Sequence, residues 1–262
     1  MNPFFKLLCA AMTVLLALFV AVTLGNVFVA SPLETARAFG ELSPVLKISL
    51  ETSLTAALLA MLLGTPVAYV LARRSFPGKA AVETLLDLPV ALPPMVAGLA
   101  LLVLVSPASP TGRVLSTLGI RVIFTKPGIV LAQLFVALPF YIRAVRSAVA
   151  AIPPSIPAAA ALLRATEAYT FFRVILPLSR EGVISGFAMC WTRALGEFGA
   201  TAMVAGCIPG VTETLPIAIY TRATSGDLAS AGAAACCLAL VSFATLVALR
   251  LAFCKEDARR KA

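Results

Sequence analysis

Apolar residues along this chain gather in six long runs, at 7–30, 45–72, 84–105, 127–150, 182–206 and 230–253, with short polar stretches between them. An α-helix rises about 1.5 Å per residue, so about 20 residues cross ~30 Å of hydrocarbon. Each run is that long, and the pattern predicts six transmembrane helices. Gly64 and Pro66 interrupt the second run, and Pro89, Pro93 and Pro94 the third. Three prolines in one span predict a kinked or broken helix. Backbone freed by such breaks must face protein or a cavity, because lipid offers it no partner. Polar loops are expected at 31–44, 75–80, 106–126 and 207–229, and a charged tail at 255–261. The first run exceeds the 7–15 residues of a signal-peptide core, so a retained span is expected, with cleavage after Ala30 as the alternative. The chain reads as one transmembrane domain, 1–262, with no internal repeat.

Composition strengthens this picture. Hydrophobic residues make up 60% of the chain and charged residues 13%, with a mean hydropathy of +0.99. A soluble domain cannot bury that much apolar surface. The net charge is +9, and its placement matters more than its sum. With the N-terminus in the cytoplasm, fourteen of the 21 basic residues fall inside and six outside, and Arg193 stays in the membrane. The excess of basic residues predicts cytoplasmic N- and C-termini in a cell (inner) membrane. It also puts 151–181 on the cytoplasmic side.

Several chemistries are excluded. No Gly-x-x-x-x-Gly-Lys-Ser/Thr loop exists, since Gly78-Lys79 lacks the first glycine. Energy from ATP must come from a partner. The chain has no His, which removes Ser/His/Asp and Cys/His catalysis. The cysteines lie mostly in apolar runs without metal-ligand spacing. No enzyme, bound cofactor or metal is expected of this chain, and no nucleic acid.

Two stretches carry candidate function. Between the fourth and fifth runs, Pro153, Pro154 and Pro157 precede an alanine-rich segment containing Arg164, Ala165 and Glu167, which predicts a short amphipathic helix. It is either a handle for a soluble partner or an ordinary loop. The fifth run holds Arg193 and Glu197, whose charges cost about 2.5–3.5 kcal/mol each at mid-bilayer. Their i, i+4 spacing predicts an ion pair. The pair either holds the helix against its neighbours or, with Thr192, Gly196, Gly199 and Thr201, lines or gates an anion path.

The stretch 158–178 resembles the coupling loop of permease subunits of binding-protein-dependent ABC importers. The Val174-x-Leu176-Pro177 ending follows Phe171-Phe172 as it does there. Ala158 or Pro157 stands at the family's Glu, followed by Ala159. Arg164 stands at the family's Gly, the turn between two short helices. Arg193-Ala194-Leu195-Gly196-Glu197-Phe198-Gly199-Ala200-Thr201 is similar to the molybdate/tungstate branch, as are Glu213 to Tyr220 and Leu88 to Pro94. The resemblance covers about 46–250 and leaves an extra N-terminal span at about 7–30. It implies an all-α permease with six transmembrane helices and a cytoplasmic coupling helix between spans four and five. It further implies a homodimer, two ATPase subunits carrying ATP and magnesium, and an extracytoplasmic oxyanion-binding protein. ATPase coupling would fall to Ala158, Ala159, Arg164, Ala165, Glu167, Phe171, Val174, Leu176 and Pro177. The nearest rival is the sulfate/thiosulfate branch, which has Tyr and Ser where this chain has Phe198 and Ala200. An ion-coupled secondary transporter is the rival from another class.

Overall fold

Long apolar runs become long helices here, and prolines set where some of them end. The structure is a computed structural model that describes the backbone at 3–29 and 32–261 and side chains at 5–23, 25, 40 and 42–247. In order, the helices are α1 (Pro3–Val29), α2 (Pro32–Arg73), α3 (Lys79–Ala91), α4 (Pro94–Val105), α5 (Pro110–Thr117), α6 (Lys126–Ala150), α7 (Ser155–Leu162) and α8 (Glu167–Thr170). A π-helical turn, Phe171–Ile175, leads into α9 (Leu176–Leu178). Then come α10 (Arg180–Leu195), α11 (Gly199–Ala205), α12 (Leu215–Thr224) and α13 (Leu228–Lys261). The described residues are helical or irregular, as expected for an all-α membrane protein.

Among the described residues, four helical segments are long and apolar enough to cross a membrane: Phe5–Thr23, Leu42–Arg73, Lys126–Ala150 and Leu228–Val247. A fifth arises if α3 and α4, bent by 113°, count as one broken span. That bend falls at Leu92-Pro93, where the prolines predicted it. Pro94 opens α4 as its first residue, where its missing N–H costs nothing. The expected span 182–206 is built from α10 and α11, parted at 196–198. The possible cleavage point after Ala30 lies outside the described residues.

Several boundaries differ from the sequence reading, among them the expected loop 106–126, which contains α5. The loop expected at 31–44 is helical from Pro32, and α2 continues without a break through Pro44, Gly64 and Pro66. Charged residues such as Glu34, Arg37 and Glu41 in a sequence do not by themselves terminate a helix. Gly64 is a contact point and not a break: a Cβ there would meet the Tyr141 ring at 2.7 Å. The neighbouring Thr65 shares a 2.7 Å hydrogen bond with the Tyr141 hydroxyl. The loop 207–229, likewise, contains α12.

The centre of the bundle is α2 against α6, with α10 packed on both. Lys126 reaches Glu51, Tyr141 meets Thr65 and Arg73 donates to the Ile152 carbonyl at 2.9 Å, so α2 and α6 run in the same direction. In α10, Gly182 lies on Ala148 and Gly186 on Ala144, so α10 runs the opposite way. Small residues at four-residue spacing on both helices permit this close approach in lipid, where dispersion replaces the hydrophobic effect. The core this makes includes Ala56, Ala60, Ala137, Tyr141, Val145, Cys190 and Ala194, all fully buried. Two serines join α2 to later elements. Ser53 accepts from Trp191 Nε1 at 3.0 Å, and Ser49 accepts from the Leu215 N–H at 2.7 Å.

Candidate functional site

The segment between α6 and α10 folds as a small hairpin of helices. Three hydrogen-bonding devices set its shape. At the end of α7, the Ala165 N–H reaches the Ala160 carbonyl at 3.1 Å and the Arg164 N–H reaches Ala161 at 2.9 Å. This is a Schellman motif, and it demands a left-handed residue at its turn. Arg164 occupies that position with φ +58°. The turn geometry that glycine would supply is therefore kept by an arginine, at a cost of about 1–2 kcal/mol. Thr166 then caps α8, its hydroxyl accepting from the Tyr169 N–H at 3.2 Å. Finally, the Leu176 N–H bonds back five residues to the Phe171 carbonyl, forming the π turn. This wide turn falls where a regular helix would press the Pro177 ring on the Arg173 carbonyl.

The hairpin is tied to the end of α2. Arg74 pairs with Glu167, and Tyr69 stacks edge-on with Phe171 at 4.8 Å. Both charges are more than half exposed, so the pair contributes at most about 1 kcal/mol. The ring contact and the half-buried Val174 and Leu176 hold the segment more firmly, together with buried Ile175. The other face is open. Leu162 and Leu163 are 86% and 85% exposed, and Tyr169 and Phe172 are also exposed. Ala158, Ala159, Glu167 and Pro177 are exposed as well, whereas Ala165 and Phe171 are half-buried. Sequence reasoning did not single out Arg74, Tyr69, Leu162 or Leu163. The Leu162-Leu163 pair ahead of a turn was the available signal.

The second candidate site is the gap between α10 and α11. Arg193 Nη1 lies 2.7 Å from Glu197 Oε2. The predicted pair forms, but by a different route. The helix stops at Leu195, so Glu197 lies beyond its end, in the break. There its other oxygen accepts the Ala200 N–H at 2.9 Å, at the start of α11. Glu197 is 1% exposed and Arg193 29%. One carboxylate thus answers a guanidinium and a free helix-end amide together, which is what makes its burial tolerable.

The other candidates at this site divide. Gly199 is a real close contact: a Cβ would lie 3.0 Å from Pro94 Cβ and 3.1 Å from the Met95 nitrogen. Gly98 on α4 matches it, its absent Cβ only 2.7 Å from Ala200 Cα. So the two half-helices α4 and α11, each beginning at a break, are pressed together. Gly196 is exposed and meets only the Thr192 carbonyl at 3.6 Å, so it allows no close approach. Thr192 donates to the Ala188 carbonyl at 2.9 Å on its own helix. Thr201 is fully buried, with its hydroxyl unpartnered. In this conformation neither threonine offers a hydroxyl to an open path. Phe198 in the break stacks on Tyr220 of α12 at 4.9 Å.

Comparison with known proteins agrees with this architecture. Residues 60–252 match the family described as binding-protein-dependent transport system inner membrane component. The molybdenum transport system permease protein ModB of Mycobacterium tuberculosis is 40% identical over 205 residues, covering 78% of this chain and 76% of that protein. The sulfate transport system permease protein CysT of Synechocystis is 36% identical over 200 residues, covering 76% and 70%. Among solved structures, a bacterial ABC transporter involved in the import of the acidic polysaccharide alginate superposes with a TM-score of 0.71. It covers 97% of this chain and 96% of its own, at 18% identity, which speaks for the fold alone. The chain belongs to the family of binding-protein-dependent transport system inner membrane components, the permease subunits of ABC importers.

Proposed function

We propose that this permease subunit carries molybdate or tungstate into the cell, energised by two separate ATPase subunits and supplied by an extracytoplasmic binding protein. The observation that carries the coupling half is the hairpin 155–178. It presents Leu162 and Leu163 almost fully to solvent while Arg74 and Tyr69 hold its back to α2. Such an apolar tip on a fixed mount fits an ATPase groove better than it fits water. ATP and magnesium reside on that partner. Movement of the hairpin would pass into α2, and from α2 through Ser53–Trp191 and Ser49–Leu215 to α10 and α12.

In this reading two copies of the chain form the path between them, and the termini and hairpin lie in the cytoplasm. The break at 196–198 serves as the gate region. Arg193 supplies positive potential, Glu197 keeps it from trapping the anion, and Gly199 fixes α11 on α4. Alternating access follows from differential stability of two arrangements, biased by ATP. The 40% identity to a molybdenum permease supports the substrate. A second reading, sulfate, is favoured by the CysT and CysW relatives at 36% and 38% identity. The test of coupling is co-purification. An ATPase subunit of a molybdate importer, co-expressed with this chain, is expected to bind wild type and to be lost on deletion of 155–178. Retention after deletion would remove the hairpin from the interface.

A further inference from the structure

A cavity of about 680 Å³ opens between α2, α4, α5 and α6, away from the hairpin and the break. The charged residues of its lining, Glu51 and Lys126, sit at one end, and Lys47 lies one helical turn before Glu51, outside the lining. Lys126 Nζ is 3.0 Å from Glu51 Oε2, and Lys47 Nζ is 3.8 Å from Glu51 Oε1. One carboxylate faces two ammonium groups, so this end keeps one positive charge in excess. All three side chains are open to solvent.

Below that end the walls offer no free donor. Thr52 and Thr55 donate to the carbonyls of Ile48 and Glu51 at 2.8 and 2.6 Å, and Thr111 donates to Leu104. The remaining wall is aliphatic, with Leu59, Leu115, Val130 and Leu131. A small inorganic oxyanion would find nothing to bond inside. Since α2 and α6 run in the same direction, the wall extends eight residues on each, from Glu51 to Leu59 and from Lys126 to Leu134. At 1.5 Å per residue that is about 12 Å. One leaflet of hydrocarbon is about 15 Å thick, half of ~30 Å. The flanking α4 shows Val103 61% exposed and Leu104 49% exposed, so the cavity borders a lipid-facing surface.

We infer that this cavity holds one acyl chain of an anionic phospholipid, with its phosphate held by Lys47 and Lys126. The shape, the apolar wall and the one-charge excess at the mouth match that amphiphile. The test is native mass spectrometry of the purified full chain, incubated with phosphatidylglycerol or phosphatidylcholine bearing identical chains. Wild type is expected to retain phosphatidylglycerol about fivefold over phosphatidylcholine, the effect of one net cation near a headgroup. Lys47→Gln with Lys126→Gln leaves the Glu51 charge unopposed and should bring that ratio below one. Thr55→Trp, which puts an indole into the cavity and leaves the lysines intact, should lower retention of both lipids. Equal retention of the two lipids by wild type overturns the inference. So does phosphatidylglycerol retention that survives both variants, displacement of the lipid by inorganic phosphate, or a dimer that excludes both lipids.

Discussion

Removing Arg193 tests whether the buried pair is a unit. Arg193→Met leaves the Glu197 carboxylate, 1% exposed, with the Ala200 N–H still bonded to it but no opposing charge. At 2.7 Å and an effective dielectric of about 20, the attraction between the two charges is about 6 kcal/mol before desolvation. Desolvating the carboxylate takes back several kcal/mol, yet an unpaired buried charge left by losing one partner typically costs about 3–5 kcal/mol. The expected loss for Arg193→Met is therefore about 3 kcal/mol. Glu197→Gln should lose less, because the amide oxygen still accepts from Ala200 and Arg193 can turn toward solvent. The double variant should then lose clearly less than the two singles summed, with a coupling of about 2 kcal/mol. Equilibrium unfolding of all four proteins in SDS-titrated mixed micelles reads this directly. Losses that add within about 0.5 kcal/mol would refute the pair as a coupled unit.

Other predictions follow from the same geometry. Arg164→Gly should stabilise the hairpin by about 1 kcal/mol, because glycine adopts the left-handed turn without steric cost, and should slow amide exchange at Ala165. Gly98→Ala should destabilise by about 1–3 kcal/mol by pushing on Ala200 Cα, whereas Gly196→Ala should be near neutral; paired melting curves compare them. Leu162→Ser with Leu163→Ser should leave the permease folded yet weaken ATPase binding at least tenfold, read by co-purification at matched expression. Unchanged ATPase recovery would place docking elsewhere.

What the sequence disclosed depended on the length scale of each signal. Twenty-residue apolar runs cannot be hidden, so α1, α2, α6 and α13 were legible, and the triple proline marked the α3–α4 bend. Start points were harder. Polar residues at 34, 37 and 41 suggested a loop, but helix is set by backbone bonding and tolerates polar faces, so α2 begins at Pro32. Gly64 looked like a break because its contact, the Tyr141 ring, is 77 positions away. At the junction of α10 and α11 the Arg193–Glu197 spacing announced the pair. The break was not visible, since its stability comes from Glu197 capping α11. Arg164 shows the reverse: the turn was expected from the resemblance, while an arginine holding a glycine conformation is visible only in the backbone angles. Ser49 and Ser53, which join α2 to α12 and α10, looked like ordinary small residues because their partners are 166 and 138 positions away.

The most direct test of the proposed transport is uptake into proteoliposomes holding this chain with its ATPase and given binding protein, with ATP inside. Labelled molybdate should accumulate only with ATP and ATPase present, and excess tungstate should block it while equal sulfate leaves it unchanged. Sulfate competing as well as tungstate would move the protein to the sulfate branch. Accumulation that persists without the ATPase would contradict the account.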